Sequence, residues 1–129
     1  GPCMIAGVLD AEGRICAVHQ TWVDPQPPHG KAQITWQGEE MSAKLVRGSK
    51  KGAAIRLCTP EGADTLVMGE GIETTLTAMV AAGVPGAAYW AGIDLGNMGG
   101  KARRGEGLRY AGLPDLTDTE AFVPPRWVR

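Results

Sequence analysis

The stretch Thr65-Leu66-Val67-Met68-Gly69-Glu70-Gly71-Ile72-Glu73-Thr74-Thr75-Leu76 decides the fold. Four residues of strand character run straight into a Gly-Glu-Gly turn. Beyond it, Ile72, Leu76, Met79 and Val80 recur at i, i+4, i+7 and i+8, one apolar helical stripe. Glu73 falls in the first turn, where the helix dipole favours a carboxylate. Gly83 suits a left-handed cap, and Pro85 blocks continuation. Residues 87–91, Ala-Ala-Tyr-Trp-Ala, read as a second strand. Strand, tight turn, helix, strand is a βαβ unit, with an expected right-handed crossover.

The chemistry of this unit concentrates on Glu70. In open α/β sheets, active groups gather where strands end. Gly69 and Gly71 let the backbone turn sharply and a substrate come close. Glu70 is therefore a candidate general acid/base or metal ligand. The plainer alternative is a helix-start carboxylate, worth about 0.3–1 kcal/mol. Glu73 is weaker as a functional candidate, because charging the helix start explains it.

Towards the N-terminus the pattern changes to short alternating runs. Residues 4–9 and 14–23 flank an acidic, glycine-containing turn, 10–13, and predict a β-hairpin. Residues 24–30, Asp-Pro-Gln-Pro-Pro-His-Gly, must be loop. A short strand is expected within 31–36, then loop or a single turn over 37–42. Residues 44–47 and 53–58 read as two more strands, separated by Gly48-Ser49-Lys50-Lys51-Gly52. The predicted class is α/β in the α+β sense: a small, mostly antiparallel β unit over 3–62, then a partial α/β core over 63–129.

Beyond the second βαβ strand, residues 92–107 are rich in glycine and basic residues without a period. A short helical turn is expected within 108–114. The tail is acidic, then proline-rich, ending Pro124-Pro125-Arg126-Trp127-Val128-Arg129. It reads as the lead-in to another strand. Gly1-Pro2 reads as the remnant of a cleaved tag, and the chain is expected to be a piece of a longer protein.

At 129 residues the chain suits one domain with a real core. Its formal net charge of -1 means that any nucleic-acid contact must be local. An aromatic content of 5% argues against a base-stacking platform. No apolar run approaches the roughly 20 residues that span a bilayer, and no signal peptide is expected. Cys3, Cys16 and Cys58 lack a paired spacing and stand apart from His19 and His29, so zinc is not expected. Three free thiols suit a reducing cytoplasm.

The string Glu70-Gly71-Ile72-Glu73-Thr74, followed by Leu76, resembles the first motif of the Toprim fold. The resemblance is to the version in phage- and plasmid-type DNA primases and primase-helicases. There, too, a small β-rich segment precedes the core, with a hairpin like residues 4–23 and a basic stretch like 44–56. It covers most of residues 4–95. The short Glu-Gly motif is weak alone; its combination with the upstream β unit is more specific. The resemblance implies metal-dependent nucleotidyl transfer, primer synthesis from nucleoside triphosphates on single-stranded DNA. It implies Mg²⁺ held by an Asp-x-Asp pair on a later strand, with Glu70 moving a proton or helping to hold the metal. Glu73 also maps onto the family pattern. A helicase or zinc-binding module elsewhere in the parent protein would fit the same family.

This chain departs from that pattern, because no Asp-x-Asp follows an apolar strand. Asp118-Thr119-Glu120 has the spacing without the strand, and Asp94 stands alone after one. The missing aspartates are expected beyond Val128, which would leave this chain inactive alone. The alternative is a non-catalytic module that binds nucleic acid or a replication partner. A strand-cleaving Toprim enzyme is disfavoured, since Tyr89 sits in a strand and Tyr110 in a glycine-flanked loop.

Lys44, Arg47, Lys50, Lys51 and Arg56 are candidate contacts for nucleotide or template phosphates, as are Lys101, Arg103 and Arg104 near Arg109. Solvated hairpin charges are the bland reading of both clusters. His19 reads as a satisfied strand residue, and Trp22, Trp36 and Trp90 as core.

Overall fold

The computed structural model describes residues 1–103 and 113–129, with Ala82 in its backbone only. These residues form a small α+β fold of mostly antiparallel strands, with two short helices among them. Strands β1 (Cys3–Leu9) and β2 (Ile15–Asp24) form the expected hairpin, in register from Cys3↔Trp22 to Leu9↔Ile15. Asp10 closes its turn by accepting the N–H groups of Glu12 and Arg14, at 3.0 and 2.9 Å. Gly13, at φ 80°, supplies the left-handed position. The other edge of β2 takes β3 (Gly30–Lys31) and β6 (Lys44–Gly48).

Between them, β4 (Ile34–Trp36) and β5 (Glu39–Met41) make a two-stranded ribbon. Residues 39–41 are thus strand, where loop or a single turn was expected. Gln37 and Gly38 both adopt positive φ, 51° and 83°, the requirement of a two-residue hairpin turn. The ribbon belongs to neither larger sheet, so Trp36 is 66% exposed rather than core.

The second sheet has the order β7-β9-β8, formed by Ile55–Cys58, Ala88–Ala91 and Leu66–Gly69. β8 and β9 are parallel and joined through α1 (Ile72–Ala82), the predicted βαβ unit. β7, expected within the first β unit, instead pairs antiparallel with β9. The Leu9↔Ala54 bridge then ties the first hairpin to this second sheet.

The helix presents a different face from the predicted stripe. Ile72 and Thr75 are buried, whereas Leu76 and Val80 are exposed, Val80 by 81%. Gly83 is extended at φ −54°, ψ 139°, not left-handed. The Val84 N–H finds its partner in the Tyr89 hydroxyl at 2.6 Å, and the positive φ falls to Gly86. A second helix, α2 (Leu95–Gly99), lies where no period was visible.

One core cluster joins Val8, Ala17, Ala53, Ile55, Ile72 and Ala91 between the two sheets and α1. Another centres on Trp90, against which Phe122 and Trp127 of the tail set their edges at 6.2 and 5.8 Å. The tail is therefore a strap of irregular backbone across the sheet, held also by Phe122 N–H to Asn97 O and Arg129 N–H to Asp64 O. Among the described residues no helix is long and apolar enough to cross a membrane.

Candidate functional site

The parallel strands β8 and β9 end side by side. Gly69 pairs with Ala91, and the Gly92 N–H donates to Gly69 O at 2.8 Å. Gly69 has no room for a side chain: a Cβ would lie 2.5 Å from Thr75 Oγ1. That hydroxyl and the Thr75 N–H both donate to Gly71 O, folding the turn back onto the first turn of α1. Glu70 sits at the apex of this turn and is exposed. The ion pairs at this end of the sheet are made by its neighbours, Glu73 and Asp94.

Glu73 accepts a 3.0 Å hydrogen bond from Lys44 Nζ on β6. Partial burial acts to raise its pKa, but its own backbone N–H and Lys44 outweigh that and hold it below the ordinary carboxylate value. His19, buried on the neighbouring β2, has its pKa lowered by burial and then by the charge of Lys44, with Glu73 opposing. Its Nδ1 lies 3.4 Å from Thr21 Oγ1. His19 is thus the strand residue that alternation suggested.

Asp94, just past β9, pairs with Lys50 and caps α2 by accepting the Asn97 N–H at 2.8 Å. The bond from Lys50 is the largest cause of its lowered pKa; burial opposes, and the Asn97 N–H and the Lys50 charge reinforce. Asn97, buried, fastens three backbone groups: it donates to Ala53 O and Gly92 O and accepts from the Gly52 N–H. Sequence reasoning missed it. The signal was Asp94 three residues ahead, an N-cap pattern inside a glycine-rich run. Nearby, Lys51 pairs with Glu120 of the tail, and Asp118 accepts the Lys101 N–H, around a cavity of about 230 Å³.

The first basic run does not form one patch. Lys44 and Arg47 leave β6 on opposite faces, Lys44 towards Glu73 and Arg47 onto Gln20. Lys50 and Lys51 reach the α2 end of the sheet, while Arg56 lies over Trp90 on another surface. Lys101 and Arg103 are exposed beside the tail; Arg104, with Glu106, Arg109 and Tyr110, lies outside the described residues.

Mg²⁺ takes about six oxygen ligands, commonly one or two carboxylates with substrate phosphates and water. At this end of the sheet Glu70 is open, but Asp94 is engaged by Lys50 and Glu73 by Lys44. Among the described residues no three His, Cys, Asp or Glu side chains gather to hold a metal. These residues do not by themselves fit an Mg²⁺ site. What the arrangement offers chemically is one accessible carboxylate with two lysines nearby in the fold.

Residues 1–57 match a family model described as a domain of unknown function (DUF7146). No curated protein and no solved structure matches the chain.

Proposed function

We propose that the chain forms the opening part of a Toprim-type nucleotidyl-transfer domain of the phage- and plasmid-primase kind. Its substrates are nucleoside triphosphates and a single-stranded DNA template, and Mg²⁺ is the cofactor of the complete domain. One observation carries the reading: Glu70 stands exposed in the turn between β8 and α1, where a parallel strand pair ends behind a β-rich unit. A carboxylate so placed can accept or donate a proton at a bound substrate. The ligands of the metal would come from outside the described residues, so Glu70's part is proton transfer alone. Lys44, Lys50 and Lys51 are each paired with an acid, Glu73, Asp94 and Glu120, so any of them that meets a substrate phosphate does so by exchanging that partner. The cytoplasm, with its reducing thiol chemistry, is the compartment of this reading, and a helicase or zinc-binding module elsewhere in the parent protein belongs to it.

The test is Mg²⁺-dependent primer synthesis by the natural full-length gene product, with and without Glu70→Gln. Removal of a general acid/base is expected to cost about a hundredfold or more. Synthesis indifferent to Glu70→Gln, or absent from the wild type, removes the reading.

The second reading is a non-catalytic module that binds nucleic acid or a replication partner. The Lys50–Asp94 and Lys44–Glu73 pairs favour it, because they occupy the two other carboxylates described at this end of the sheet. It predicts DNA binding without metal, unchanged by Glu70→Gln.

A further inference from the structure

On the sheet face away from α1, Arg56 of β7 lies across Trp90 of β9, its Cζ 4.4 Å from the ring centroid. The two residues are cross-strand partners and so share that face. Arg56 Nη2 donates to the Asp10 backbone carbonyl at 2.8 Å, its one hydrogen bond among the described residues. Its Nε is buried without a partner. The Asp10 carboxylate is turned to other donors: Arg14 Nε at 3.0 Å and the backbone N–H groups of Glu12 and Arg14. Arg56 is therefore a partly buried cation without a counter-ion among the described residues. A guanidinium cannot relieve this by losing its proton, and buried charges are ordinarily paired.

Arg56 lines a cavity of about 300 Å³, whose other walls include Phe122, Val123 and Pro124, with the exposed Arg126 at the margin. The floor is rigid. Trp90 is 2% exposed, is braced by Phe122 and Trp127, and donates from Nε1 to Thr59 Oγ1 at 2.8 Å. A concave apolar cavity with a few convergent donors is the usual form of a small-molecule site, and this volume is at the lower end of that range.

We propose that this cavity binds a small organic oxyanion. Its phosphate or carboxylate oxygens sit on Arg56, with Arg126 contributing at the rim, and its compact planar body lies against Phe122 and Pro124. The oxyanion supplies the missing counter-ion, meeting the guanidinium at its Nη edge because Nε is buried, and forked, charge-assisted bonds to guanidinium are the strong ones. The site is independent of the nucleotidyl-transfer reading, since no residue of β8 or of the turn that carries Glu70 lines the cavity.

The test is titration of ¹⁵N-labelled protein with phenyl phosphate, benzoate and inorganic phosphate, followed at the Trp90 indole N–H. Saturable shifts are expected with phenyl phosphate, benzoate or both, and which of them binds identifies the oxyanion. Inorganic phosphate is expected to bind at least about tenfold more weakly, because it leaves the apolar wall uncovered. Arg56→Lys keeps the charge but loses the fork, and is expected to weaken binding about tenfold or more. Arg126→Gln, an exposed change, is expected to weaken it about threefold with an unchanged melting temperature. The proposal is overturned if neither organic anion saturates, or if inorganic phosphate binds as well as they do. It is equally overturned if Arg56→Lys leaves affinity unchanged; should that variant fail to fold, unchanged affinity in Arg126→Gln decides against it.

Discussion

Lys44 Nζ donates to Glu73 Oε2 at 3.0 Å, so the first turn of α1 is tied to β6 across 29 positions of sequence. The same bond changes the standing of two candidates at once. Lys44 is committed to a structural partner, and Glu73 is a helix-start carboxylate held in place from the first sheet. Glu70, three residues earlier, is the acid this arrangement leaves open.

Glu73→Gln is therefore expected to act on stability and Glu70→Gln on activity. The pair is partly exposed, 29% and 53% for its two side chains, so its loss should cost under about 1 kcal/mol in chemical denaturation. Glu73 has a folded-state pKa below its ordinary 4.5. Its contribution is present above that value and is lost as pH falls through the folded pKa. A double-mutant cycle with Lys44→Met should show coupling at pH 7 that declines as pH falls through the folded pKa.

Gly69→Ala tests whether the turn that carries Glu70 depends on close backbone approach. The added Cβ would sit 2.5 Å from Thr75 Oγ1 and 3.3 Å from Thr75 N. Overpacking of this kind costs about 1–3 kcal/mol. Thr75→Ala in the Gly69→Ala background removes the nearer contact and leaves the backbone one, so urea denaturation should show partial recovery.

Alternation made the β1–β2 hairpin legible, and the strand–Gly-Glu-Gly–helix pattern made the βαβ unit legible. The buried face of α1 was not, because Thr75 reads as polar until its hydroxyl is seen bonded to Gly71 O. β5 was hidden because Gln37 is an unusual residue for a left-handed turn position. The site charges were misleading for a further reason. Lys44, Lys50 and Lys51 are neighbours in sequence, yet their acids are Glu73, Asp94 and Glu120, on three separate elements. No local pattern encodes such partners; only the folded chain brings them together.

His19 should give the protein an acid-sensitive step near neutrality. Burial, then the charge of Lys44, lowers its pKa below 6.5, with Glu73 pulling the other way. The unfolded chain therefore takes up the proton at higher pH than the folded one. Stability should fall as pH drops through about 6.5 and level off below the folded pKa. Urea midpoints measured from pH 8 to 5 should show this slope, and His19→Gln should flatten it. An unchanged slope in the variant would assign the step to another group.

Asn97 is expected to be the costliest single polar side chain to remove. Its amide serves Ala53 O, Gly92 O and the Gly52 N–H, all at 2.8–2.9 Å. Asn97→Ala strands Ala53 O and the Gly52 N–H and leaves Gly92 O with the Asp94 N–H alone, for about 2–4 kcal/mol in urea denaturation, since buried unsatisfied groups keep their full desolvation penalty. Asn97→Asp should be worse at neutral pH. It replaces two donors with a charged acceptor facing two carbonyls, while restoring nothing to them. Because Gly52 follows Lys50 and Lys51 directly, losing this anchor should also free the turn from the Asp94 end of the sheet. Hydrogen exchange at the Gly52 amide should accelerate in both variants, and most in the aspartate.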